Sequence, residues 1–154
     1  MKFELIRSSH SVGEANYHLQ FTPAYRKPVF ADPMVRILTR DYILAGAKHH
    51  GIPVAAIGFG TDHCHVFTSG CKNHSPAQVA KLLKGFSSRM MHKHHHYLFS
   101  EQLYGGKFWT SGYFYRTVGA VNSDTVHNYV EHSQNKHWKV STGKQKQLIE
   151  FAAG

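Results

Sequence analysis

The stretch 53–69 leaves this chain the least freedom. Residues 53–59 and 63–69 are short, apolar and rich in β-formers, and Gly60-Thr61-Asp62 between them is a turn. They predict a hairpin, hence two neighbouring antiparallel strands around which the rest must pack. Upstream, residues 16–22 alternate, with Tyr17, Leu19 and Phe21 on one face and Asn16, His18 and Gln20 on the other, which predicts a half-buried strand. Residues 23–28, Pro-Ala-Tyr-Arg-Lys-Pro, read as a basic loop. Asp32-Pro33 is an N-cap followed by a first-turn proline, and Gly51 a C-terminal stop, so the helix is placed at 33–50. Ser75-Pro76 repeats that signal. Val79, Leu82, Leu83, Phe86 and Met90 follow at helical spacing to about residue 92, and the His-rich run 91–96 reads as a solvated helix end. Residues 104–106 read as a loop, 113–118 alternate as a last strand, and Ser123-Asp124 is placed as the cap of a third helix to about residue 137. Residues 1–13 read as an irregular lead-in, and the last sixteen carry no strong pattern beyond a short helix at 146–152.

The order strand, helix, strand, strand, helix, strand predicts an α+β, ferredoxin-like fold: an antiparallel sheet with two helices on one face and a further C-terminal helix. The 154 residues suit one domain, 1–154, with a core at about 14–138 and a tail at 139–154. A chain of that size buries roughly 70% of its unfolded surface, so no metal or disulfide staple is required. No apolar run approaches the ~18 residues of a membrane span, and the first five residues do not resemble a signal peptide. The expected location is cytoplasmic.

Charge narrows the class of partner. Lys and Arg number 18 against 9 Asp and Glu, a net charge of +9. That excess suits a polyanion, because neutralised phosphates release condensed counterions. Cys64 and Cys71 stand seven apart without a CxxC spacing and read as reduced thiols, Cys64 pointing into the core.

His63-Cys64-His65 sets two imidazoles on one face of a strand. Two neutral imidazoles make a half-site for a divalent cation that still needs other ligands, and they ligate only when unprotonated. With 14 histidines in the chain, chance alone gives about one such pair, and three occur, so the spacing by itself is weak. Tyr129 lies on the third helix between Val126 and Val130, where a core tyrosine is the plain reading. A phenol that attacks a phosphodiester is the chemical one.

Several stretches share one likeness. Residues 17–26 (YHLQFTPAYR), 62–66 (DHCHV), 82–89 (LLKGFSSR), 105–114 (GGKFWTSGYF), 117–119 (TVG) and 129–131 (YVE) follow one another in register over about 120 residues. Together they resemble the one-tyrosine transposases of the insertion-sequence-200 type, in the histidine–hydrophobe–histidine endonuclease superfamily. The resemblance implies that His63 and His65 bind Mg²⁺ or Mn²⁺. It implies that Tyr129 attacks single-stranded DNA to give a 5′-phosphotyrosine and a free 3′-hydroxyl. It further implies a homodimer with active sites shared between subunits and substrates marked by imperfect hairpins. Arg26, Lys27, Lys84 and Arg89 are the basic residues placed against that DNA.

One feature departs from the family pattern. The family supplies a third metal ligand, a glutamine four residues after the tyrosine; here that position is Ser133 and Gln134 stands at +5. A one-residue π-bulge would bring Gln134 onto the tyrosine's face, and His132 at +3 is the runner-up ligand. Three other readings compete with a transposase. They are a host-adapted relative that processes repeated hairpins, a non-catalytic nucleic-acid-binding module that stacks bases on exposed sheet aromatics, and a His-rich metal-binding protein.

Overall fold

The computed structural model describes residues 1–6, 15–122 and 124–128. The fold is α+β. Five strands, β1 (Phe3–Leu5), β2 (Tyr17–Phe21), β3 (Val54–Phe59), β4 (Cys64–Thr68) and β5 (Phe114–Thr117), form one antiparallel sheet in the order β1-β3-β4-β2-β5. Two long helices, α1 (Pro33–His50) and α2 (Pro76–His95), connect them.

The caps behave as the sequence predicts. The Asp32 carboxylate accepts from the Met34 N–H at 2.9 Å, Pro33 opens α1, and Gly51 closes it in the left-handed conformation at φ 67°. Ser75 and Gln78 form a reciprocal capping box ahead of α2. That helix runs three residues beyond the expected end, and Met91, within the stretch expected to be solvated, is fully buried.

One face of the sheet carries the main core. Leu19, Phe21, Ile57, Cys64 and Val66 pack there against Val35, Ile43 and Ala47 of α1 and Val79, Leu83 and Met91 of α2. Cys64 points inward as expected, and burial pushes its thiol well above the ordinary range.

Two expectations need correction. The lead-in is not wholly irregular: Phe3–Leu5 pairs with β3, and the Phe3 ring lies over Gly58, where any Cβ would stand 2.7 Å from it. Strand β2 is not half-buried. His18 and Gln20 are as buried as Leu19, because Phe3, Phe67, Val118, Val121 and Val126 form a second cluster on the other face. A chain this short covers both faces by folding residues 118–128 back across the sheet, a tertiary event that strand periodicity does not encode. The helical stretch 124–128 is preceded by Asn122, whose side-chain oxygen accepts from the Thr125 N–H at 2.9 Å; Ser123, expected with Asp124 as the cap, lies outside the described residues. Tyr129, His132, Ser133, Gln134 and the tail at 139–154 lie outside the described residues.

Among the described residues no helix is long and apolar enough to cross a membrane.

Candidate active site

The hairpin turn between β3 and β4 carries the histidine pair. His65 sits within β4, opposite Gly58 on β3 and Gln20 on β2, so its ring enters the second face of the sheet. His63 lies one residue before β4 and faces the same way, two positions along the pleat. The two rings stand 5.0 Å apart between centroids and nearly perpendicular, at 87°. Gly60 makes that possible, since a Cβ there would lie 2.4 Å from the His63 ring.

Each imidazole is held from behind. His63 Nδ1 is 2.8 Å from the Asp62 carboxylate. A carboxylate only accepts, so Nδ1 carries the proton and Nε2 is the basic nitrogen. The hydrogen bond from His63, with the Arg26 guanidinium nearby, holds the Asp62 carboxyl below its ordinary range against the opposing effect of burial. His65 Nδ1 is 2.7 Å from His18 Nε2. If His65 donates in this pair, its Nε2 becomes the basic nitrogen too. That is the arrangement by which ligating histidines are normally oriented.

His18 itself stays neutral. It is fully buried, stacked on Phe67 at 4.4 Å with ring planes within 3°. Burial, reinforced by Arg116, pushes its imidazole down to about 3. The unfolded chain takes up a proton near 6.5 and the folded chain does not until about 3. The contribution to stability is therefore complete above 6.5 and is lost as pH falls through that window. This group alone should cost roughly 1.4 kcal/mol per pH unit below ~6.5. Urea midpoints measured between pH 7 and pH 5 should show the slope, and His18→Gln should flatten it. An unchanged slope in that variant would assign the acid sensitivity elsewhere.

The basic residues separate into three environments. Arg26 and Lys27 sit at the end of the Ala24–Arg26 turn, which is tied to the 108–110 segment by Ala24 N–H to Phe108 O at 2.9 Å and, next to it, Thr110 N–H to Thr22 O at 2.9 Å. Phe30 N–H donates to Thr61 O at 3.0 Å, so this basic loop abuts the histidine turn. Lys84 is placed otherwise than expected. Its ammonium donates to the Thr110 and Gly112 carbonyls at 2.7 and 2.6 Å, and burial pushes it down to about 8. It latches the 110–112 segment to α2 at one wall of a groove of about 400 Å³ that Lys81 and Lys107 also line. Arg89 is exposed, with its guanidinium 5.7 Å above the Phe86 ring on α2. The structure thus brings the Arg26 charge to the Asp62 carboxylate of the histidine turn and ties Lys84 to the 110–112 segment.

The donor set suits a divalent cation only in part. His63 offers an imidazole nitrogen whose ring proton is directed to Asp62, and His65 offers a second where it donates to His18, together a half-site for Mg²⁺ or Mn²⁺. Among the described residues no group of three His, Cys, Asp or Glu could hold a metal. The expected candidates, Gln134 and His132, lie outside them, as does Tyr129.

Sequence reasoning missed His18 and Phe3 as supports of the pair. Alternation put His18 on the polar face of β2, but only the register His18↔Phe67 and Gln20↔His65 brings it to His65.

Comparisons with known proteins agree with the resemblance noted above. A family model described as "Transposase IS200 like" matches residues 11–133. The chain is 26% identical over 136 residues to the ISDra2 transposase TnpA of Deinococcus radiodurans, across 88% of this chain and 96% of that one. The crystal structure of a transposase candidate from Deinococcus radiodurans R1 superposes with a TM-score of 0.61 at 25% identity, covering 84% of this chain and 95% of the other.

Proposed function

The chain belongs to the IS200-like transposase family, and from that premise we propose that it cleaves and rejoins single-stranded DNA at hairpin-marked element ends through a 5′-phosphotyrosine on Tyr129. The observation that carries the proposal is the pair of oriented imidazoles, His63 held by Asp62 and His65 by the buried His18, on one face of the sheet beside a basic loop. The order β3-β4-β2-β5 with α1 and α2 on one face supports a ferredoxin-like core.

In this reading the Tyr129 oxygen attacks the scissile phosphorus. The bond to the tyrosine forms, the bond to the 3′-oxygen breaks, and the departing oxygen takes a proton to become a 3′-hydroxyl. Attack by a different 3′-hydroxyl reverses the step and rejoins strands without ATP. His63 and His65, with Gln134 or His132, would hold Mg²⁺ or Mn²⁺, which when bound would draw charge off the phosphate. Asp62 and His18 keep the two rings turned with their basic nitrogens toward the reacting group. Arg26 and Lys27 meet the DNA backbone, and Arg89 is the basic residue placed against DNA on α2. The enzyme works as a homodimer that shares its active sites, in the cytoplasm at the nucleoid.

A second reading, a non-catalytic module that stacks bases on open sheet aromatics, meets an obstacle in the structure. Phe67 at the centre of the second face is fully buried against His18. A host-adapted relative that processes repeated hairpins would use the same chemistry, so it differs in substrate and not in site.

The test is incubation with single-stranded DNA from the ends of the chain's own locus, read on a denaturing gel for a covalent protein–DNA species. Binding should favour single-stranded hairpins over perfect duplex. Its logarithm should fall linearly with log salt, by roughly 0.7 per phosphate neutralised. Equal binding to both forms and no covalent species would leave only a generic basic protein.

A further inference from the structure

The backbone at Tyr25 is strained in a way the core does not require. Tyr25 has φ 58° and Arg26 φ 52°, two consecutive left-handed residues with no glycine between them. A Cβ disfavours that conformation, and it persists where the surroundings over-determine it, typically at functional sites. Here the loop is fixed by Arg26 N–H to Pro23 O at 2.9 Å and Ala24 N–H to Phe108 O at 2.9 Å. The consequence is where the ring goes. Ala24, Val29 and Phe30 around it are buried, whereas Tyr25 is 64% exposed.

It does not stand alone. Tyr104, on the loop after α2, is 76% exposed, and the two rings are nearly parallel, 10° apart in plane and 6.2 Å between centroids. Gly105 is shaped to this arrangement, since a Cβ there would come within 3.0 Å of the Tyr25 phenol oxygen. Arg26 and Lys27 follow Tyr25 in the chain, Lys107 follows Tyr104 by three, and Arg26 is the cation whose charge reaches Asp62, the partner of His63. Parallel exposed aromatic faces with cations close by in the chain suit a flat group on an anionic backbone, and every nucleobase offers such a face.

We propose that Tyr25 and Tyr104 form a stacking platform for an unpaired base of the strand that passes to His63 and His65, with Arg26 and Lys27 beside its phosphates. This rests on the reading of the chain as a protein that acts on single-stranded DNA. The platform sits outside the histidine pair and outside the sheet face, and it selects for an unpaired base because a paired one has no free face to offer at the loop.

The full-length protein is tested with hairpin oligonucleotides whose flanks carry 2-aminopurine at one unpaired position at a time. Stacking quenches this base, so one position should lose fluorescence on binding to the wild type. Tyr25→Ala and Tyr104→Ala should abolish that quench and weaken binding about 5- to 150-fold, while Tyr25→Phe and Tyr104→Phe keep both, because the ring is what stacks. Tyr25→Gly accepts the left-handed backbone, so it should lose the quench with its melting temperature intact, which separates loss of the ring from loss of the fold. If the wild type binds single-stranded DNA and the Ala and Gly variants bind and quench equally well, the platform is overturned and the enzymatic reading stands. If the wild type binds no single-stranded DNA, both fall.

Discussion

Tyr129→Phe should leave no covalent protein–DNA species on a denaturing gel, while hairpin binding should stay within about twofold of the wild type. The substitution removes one oxygen and keeps the ring, so packing and DNA contacts persist and only the nucleophile disappears. The chain has eight tyrosines, so the loss has to be specific. Tyr113 and Tyr115 are the controls. Their rings neighbour each other at 6.0 Å near β5, and burial raises the Tyr113 phenol above its ordinary value, which makes it a poorer source of phenolate. An adduct of undiminished yield in Tyr129→Phe would take the nucleophile's role from Tyr129 and pass it to one of these two.

The hairpin, both long helices and their caps were legible because each is written locally. Asp32-Pro33, Ser75-Pro76 and Gly51 are signals that act within one turn of the chain, and all three act as expected. What local pattern could not supply was the second layer. The cover formed by Phe3, Val121 and Val126 depends on which segment folds back over the sheet, and no spacing in residues 16–22 records it. His18 shows the cost of that gap. In sequence it is a polar residue on a polar face; in the fold it is a buried neutral imidazole that touches His65. Lys84 shows the same gap from the other side, for a lysine in a basic chain reads as a phosphate contact and its bonds within the fold are not visible in sequence. Only the carbonyls of Thr110 and Gly112, 26 and 28 residues away, reveal its structural bond. The histidine pair itself was visible as a spacing but weak as a pattern, and its strength lies in Asp62 and His18 behind it.

Replacing His63 and His65 together by Ala should abolish cleavage and leave hairpin binding near the wild-type level, because the proposed basic and aromatic contacts lie on other loops. The same double variant should lose Mn²⁺ binding measured by calorimetry without DNA, a readout that needs no activity. Both imidazoles face the second side of the sheet, and neither belongs to the main core, so the variant keeps the packing of Leu19, Val66 and Leu83. The third ligand is then open to the same assay. Gln134→Ala weakens Mn²⁺ binding if a bulge in the helix turns Gln134 toward the pair, whereas His132→Ala does so if the helix is regular. Ser133 at the usual position has a hydroxyl, a weaker ligand than an amide oxygen for a hard cation, so Ser133→Gln offers the complementary gain. Tighter Mn²⁺ binding by Ser133→Gln, with no loss from either Gln134→Ala or His132→Ala, would mean that the chain runs with two histidines and water alone. Unchanged Mn²⁺ binding in the double histidine variant would remove the metal from this turn altogether, and with it the chemistry proposed for Tyr129 beside it.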